Sequence, residues 1–240
     1  MSGMRLNKDL RELISEIVIG FHRNNEIRQL YTESLQRAQG GKHDNTLKQL
    51  RYYVLHQLAA TAVRKFPSLS IAESGCWWGH STHILAEIAA AQPGFSGKLH
   101  VFDSFEGLSE FKEQDETDFR PTQAAKDAAR QNFRSNLARV SEGLSGFPFV
   151  QFHPGWIPTK FFEVETESFS LATIDVDLYE PTRDAIAFFY PRVCKGGLLY
   201  FDDYGYETYP GAKLAVDEFL KDQKPDFFLD LPTGSAFLIK

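Results

Sequence analysis

Apolar residues in the first part of the chain recur at helical spacing. Leu6, Leu10, Leu13, Ile14, Ile17 and Phe21 fall three or four apart, which predicts one helix face. Gly40-Gly41 breaks the pattern. A second amphipathic helix follows, with Leu47, Leu50, Val54, Leu55 and Leu58 on one side, and it stops before Pro67. From residue 69 short apolar runs alternate with helical segments. Leu69–Ser74, Leu99–Asp103, Phe149–Phe152, Leu171–Asp175 and Leu198–Asp202 are predicted strands. Helices are predicted near 81–91, 122–138 and 181–192. Such alternation implies an α/β protein with a mostly parallel sheet covered on both faces. Ala212, Ala215, Val216 and Phe219 mark a later helix. The runs Phe227–Leu231 and Ser235–Ile239, joined by Pro232-Thr233-Gly234, predict an antiparallel hairpin at the sheet edge.

The pattern divides the chain into an N-terminal helical segment, 1–66, and an α/β domain, 67–240. The helical segment is expected to cap the site or to build a homodimer or higher homo-oligomer. Composition narrows the partners. Lysine and arginine number 26 against 32 aspartates and glutamates, a net charge of −6. That balance argues against nucleic acid and anionic membranes. No run of apolar residues is long enough to span a bilayer, and the N-terminus lacks the unbroken apolar core of a signal peptide. Cys76 and Cys194 are far apart and belong to no CxxC pair. They read as reduced thiols in the cytoplasm.

A sheet of this kind binds ligands beyond the carboxyl ends of its strands. The first strand runs into Glu73-Ser74-Gly75-Cys76-Trp77-Trp78-Gly79-His80-Ser81, and a helix follows. A glycine turn at a helix N-terminus favours an anion. Trp77 sits where a dinucleotide would need close backbone approach, which counts against an NAD-dependent oxidoreductase. The turn suits S-adenosylmethionine (SAM), its carboxylate at the helix start near Ser81 and its ammonium group at Glu73. Asp103 ends the second strand and is placed for the ribose hydroxyls, with Ser104 beside it. Gly155 and Trp156 follow the third strand and are placed to flank an adenine ring. His153 is a candidate base or a structural residue.

The fourth and fifth strands end in acids: Asp175-Val176-Asp177 and Asp202-Asp203. On neighbouring strands, Asp175, Asp202 and Asp203 converge, and like charges so close need a counter-charge. Oxygen-only ligands favour magnesium. Asp177, two residues beyond Asp175, is expected on the opposite strand face as support. The acidic stretch 110–120 reads equally as a lid or as a solvated loop.

Taken together, these residues resemble the macrocin O-methyltransferase family (TylF/MycF), which includes aminocoumarin sugar O-methyltransferases. The matching blocks run from about residue 70 to 222. They are Glu73-x-Gly75-x-Trp77-x-Gly79, Val101–Leu108, Gly155-Trp156, Ile174–Thr182, Gly196–Gly205, Pro210–Ala212 and Ala215–Phe219. The resemblance implies a class I SAM-dependent methyltransferase fold with a seven-stranded sheet. It implies magnesium on Asp175, Asp202 and Asp203, Asp103 at the ribose, and Gly155-Trp156 beside the adenine. The implied acceptor is a sugar or glycosylated natural product, and Asp175, or a metal-bound water beside it, is expected to take its proton. A catechol-type O-methyltransferase would share these motifs, and a non-catalytic SAM-binding protein is a further alternative. His80 departs from the family pattern and is expected to narrow the approach to the helix. Residues 109–140 match no family block.

Overall fold

The computed structural model describes residues 20–38 and 44–240. Leu6, Leu10, Leu13, Ile14, Ile17 and Gly40-Gly41 lie outside them. Among the described residues, a short helix α1 (Gly20–Arg23) leads into α2 (Asn25–Arg37), and α3 (Thr46–Lys65) follows. Asn24 and Asn45 cap α2 and α3, each side chain accepting from the backbone N–H three residues on.

The strands are β1 (Ser70–Ser74), β2 (Leu99–Asp103), β3 (Val150–Pro154), β4 (Phe169–Ile174), β5 (Val193–Phe201), β6 (Phe227–Asp230) and β7 (Ala236–Ile239). They form one sheet in the order β3-β2-β1-β4-β5-β7-β6. The first five are parallel, and β7 pairs antiparallel with both β5 and β6. The predicted architecture and terminal hairpin are therefore present. β1 and β4 are buried along their whole length, as strands covered on both faces must be.

Helix α4 (His80–Ala91) follows β1 and is buried on nearly every side. A helix apolar all round needs cover on both flanks. The sheet supplies one, and the N-terminal helices supply the other. Phe21, Ile27, Tyr31, Leu55, Ala59 and Val63 share one apolar cluster with Ile71, Leu85 and Leu99. The side of α3 turned inward is offset from the predicted one. Leu47 is half exposed, while Lys48, Leu55, Ala59, Ala62 and Val63 are buried.

The predicted helix at 122–138 is two helices, α5 (Gln123–Asn132) and α6 (Leu137–Gly143). Residues 133–136 break it because local chemistry outcompetes periodicity. Arg134 bridges to Glu106, and the Asn136 side chain accepts from Arg139 N to start a new helix. The remaining helices are α7 (Tyr179–Arg192) and α8 (Pro210–Asp222), the latter with Pro210 in its first turn. Among the described residues no helix is long and apolar enough to cross a membrane.

Candidate active site

Strand register places the site. Ser74 aligns with Phe102 and Ile174, and Ile174 with Phe201. The next residues, Gly75, Asp103, Asp175 and Asp202, therefore emerge together at the carboxyl edge. Backbone bonds continue one step past the strands, from Gly75 N to Phe102 O, Asp175 N to Ser74 O and Asp202 N to Ile174 O. A cavity of about 300 Å³ opens there, walled by Trp77, Trp156, Phe133, Tyr206 and Tyr209 and floored by the acids.

The turn after β1 is held from inside the protein. Asp103 Oδ2 accepts from Cys76 N (2.8 Å) and Trp77 N (2.9 Å), and Oδ1 accepts from Phe105 N (2.7 Å). Much of its acceptor capacity thus shapes the turn, although Asp103 still borders the cavity. Trp77 and Gly79 take positive φ. Gly75 is required for packing: a Cβ there would lie 1.8 Å from the Asp175 carbonyl oxygen. Ser104 closes a local turn, donating to Gly107 O and accepting from Glu106 N, both at 3.0 Å. Trp156 borders the cavity, whereas Gly155 sits behind it, its N–H donated to Asp103 O.

Glu73 corrects one expectation. Its side chain is 1% exposed and lies beneath the turn, outside the cavity wall, where Thr82 Oγ1 donates to it at 2.5 Å. Ser81, on the cavity wall, also bonds it. Strand alternation turns position 73 inward. Burial pushes its carboxyl up to about 8. Folded Glu73 then keeps a proton that the unfolded chain releases in the ordinary carboxylate range. Its stabilisation is full below that range and is lost as pH rises to about 8. Glu73→Gln is expected to flatten the fall in melting temperature between pH 5 and 8, as calorimetry across that range would show.

His80 and His153 are both buried and partnered. His80 borders the cavity, with its Nε2 3.1 Å from Tyr31 O and its ring against Tyr31 and Tyr52. It locks α2 and α3 onto α4, and burial lowers its pKa to about 3. His153 is buried outside the cavity, stacked on Phe102 and bonded to Glu163 and His100.

The acids are grouped differently from the sequence expectation. Asp175, Asp177 and Asp203 each bring a carboxylate oxygen within 4.8 Å of the others. Asp177 joins them because the strand ends at Ile174, so alternation no longer applies. The chain folds into a tight turn there, with Asp177 at φ 61° and Leu178 N donating to Val176 O at 2.6 Å. Asp203 Oδ2 accepts from Asp177 N at 3.0 Å and joins the two acid loops. Asp202 lies outside this group. Its carboxylate accepts from Arg51 and, at 3.1 Å, from the Tyr200 hydroxyl. Burial and the charge of Asp203 raise the pKa of both Asp175 and Asp177.

Arg51 and Lys48, both on α3, bring positive charge to the cavity. Arg51 also covers the Tyr206 ring, 5.2 Å from its centroid. Burial and then Arg51 push Lys48 down to about 8. Sequence periodicity assigned this helix an apolar face and passed over its polar one. The signal was present: Lys48, Arg51, Tyr52 and Leu55 are spaced as one helical stripe.

A family model described as macrocin-O-methyltransferase (TylF) matches residues 22–228. The chain belongs to this family. Two relatives are each 28% identical to this family member. The demethyldecarbamoylnovobiocin O-methyltransferase of Streptomyces niveus aligns over 158 residues, 62% of this chain and 57% of its own. The 8-demethyl-8-(2,3-dimethoxy-alpha-L-rhamnosyl)-tetracenomycin-C 4'-O-methyltransferase of Streptomyces olivaceus aligns over 143 residues, 58% of this chain and 54% of its own. The chain thus spans little more than half the length of these relatives. The fold matches the O-methyltransferase NovP with a TM-score of 0.65, at 24% identity and 79% coverage of each chain. It matches the calicheamicin methyltransferase CalS11 with a TM-score of 0.67, at 20% identity and 99% coverage of each chain. These structures share the class I SAM-methyltransferase fold.

Proposed function

We propose that this family member transfers a methyl group from SAM to a hydroxyl of a sugar or glycosylated natural product, with magnesium as its metal. The juxtaposition of three carboxylates with the glycine turn in one cavity carries this reading. The rhamnosyl group in one relative's name supports a sugar acceptor.

The donor set suits a hard divalent cation. Octahedral magnesium at about 2.1 Å from its ligands sets their oxygens about 3 to 4 Å apart. The 4.8 Å spread of Asp175, Asp177 and Asp203 needs only a small contraction to reach that. Those three would hold the ion, while Asp202 stays with Arg51. Magnesium would supply electrostatic stabilisation of the developing alkoxide. The cavity's aromatic walls and the start of α4 suit SAM, with Trp156 at the adenine and Ser81 near the methionine end.

The chain's own residues do the remaining work. Asp175 takes the acceptor proton at its carboxylate. Tyr206, Tyr209 and Phe133 form an apolar wall that holds the acceptor and excludes water.

Calorimetric titration with S-adenosylhomocysteine, with and without magnesium, tests the cofactor. Micromolar binding is expected, and its absence in folded protein would overturn the methyl-transfer reading. Activity on a panel of sugar and catechol acceptors should vanish on exhaustive chelation and return with magnesium. Activity that survives chelation would sink the metal role.

A further inference from the structure

The segment between Ser109 and Thr122 has no role in the reaction outlined above, yet it contains a deeply buried acid. Asp115 is 1% exposed and lies on a short 3-10 turn, Glu113–Asp115. Its Oδ2 accepts from Lys112 N of its own segment at 3.0 Å. Its Oδ1 accepts from Tyr179 N, the first residue of α7, at 2.8 Å. Gly211, in the first turn of α8, presses on the same oxygen: a Cβ there would lie 1.9 Å from it. One carboxylate is therefore wedged between the starts of two helices. The helix dipoles favour a negative group at such a point.

Those two helices follow the two acid loops. Tyr179 comes two residues after Asp177, whose positive φ and tight turn must be held from outside. Pro210 comes a few residues after Asp203, along a chain kept compact by bonds from Tyr206 N to Asp203 O and from Tyr209 N to Tyr206 O. The same segment grips that stretch again. Thr117 donates to Glu207 O, and Arg120 donates to Thr208 O and covers the Tyr209 ring. Upstream, Leu108 and Ser109 border the cavity.

We propose that Asp115 is a positioning residue for the carboxylate cluster, tying the segment that follows the cavity-lining Leu108 and Ser109 to both loops that carry Asp175, Asp177 and Asp203. How tightly the cluster holds a divalent cation then depends on this segment. The inference rests on the metal reading above.

Two variants disturb the tie from opposite sides. Asp115→Asn keeps the volume and loses the charge and one of the two acceptor oxygens. Gly211→Ala keeps Asp115 and displaces its carboxylate. Glu113→Gln, on an exposed residue of the same turn, is the control. Mn2+ affinity, read by electron paramagnetic resonance of the full chain, is expected to weaken about 10-fold or more in both variants and not in the control. S-adenosylhomocysteine affinity without metal should stay within about twofold, since the turn after β1 is held by Asp103 and packs on the Asp175 backbone, whereas Asp115 bonds Lys112 N and Tyr179 N. Unchanged Mn2+ affinity in both variants, with wild type binding, would overturn the positioning role. Equal losses of Mn2+ and S-adenosylhomocysteine binding would also overturn it, because that is general loosening. Failure of wild type to bind Mn2+ would refute the metal reading itself, and this inference with it.

Discussion

Asp175→Asn is expected to lower turnover about 10³-fold, since it removes both a proton acceptor and a charge beside the reacting oxygen. Mn2+ affinity should fall with it. S-adenosylhomocysteine affinity should change by less than about threefold, because the turn after β1 is held by Asp103 and by the Asp175 backbone, not its side chain. Steady-state kinetics and calorimetry on the same preparation separate the two effects. Turnover within tenfold of wild type would remove Asp175 from the reaction. The neighbouring acids sharpen the test. Asp177→Asn should cost more metal affinity than Asp202→Asn, because Asp177 sits in the cluster and Asp202 is held by Arg51. The reverse order would mean that Asp202 leaves Arg51 and replaces Asp177 when the ion binds.

The second large effect is expected in stability. Arg51→Met should destabilise the protein by about 3 kcal/mol, the usual cost of leaving a buried charge without its partner. Asp202 is 6% exposed and would keep only the Tyr200 hydroxyl among its side-chain partners described here. For a chain of this size the loss corresponds to a drop in melting temperature of about 6–12 °C, measurable by scanning calorimetry. Arg51→Lys should recover part of it. A lysine restores the charge but not the planar group that lies over Tyr206. A melting temperature within a degree or two of wild type would show that the ion pair contributes little. Since Arg51 comes from α3, the same variant asks whether the N-terminal helices belong to the site or merely cover it.

The α/β order was legible because each strand is a short apolar run bounded by turn residues, and each helix repeats at 3.6. Register was legible in outcome as well: acids at the end of β2 and just past β4 and β5 had to gather at one edge. Periodicity failed where local hydrogen bonding took over. Asn136 restarts a helix in the middle of an unbroken helical pattern. Asp177 escapes strand alternation because a tight turn begins at Val176, two residues after β4 ends.

By itself, then, the sequence determined the sheet, the strand-end location of the site and the family, since these follow from local patterns of two or three turns' length. Tertiary structure alone decided which acids meet, that Arg51 answers Asp202, that Glu73 faces inward, and that Asp115 braces two helix starts. Each of these depends on side chains far apart in the chain, and on which charge a neighbouring element brings into a space shielded from water. No local pattern records that.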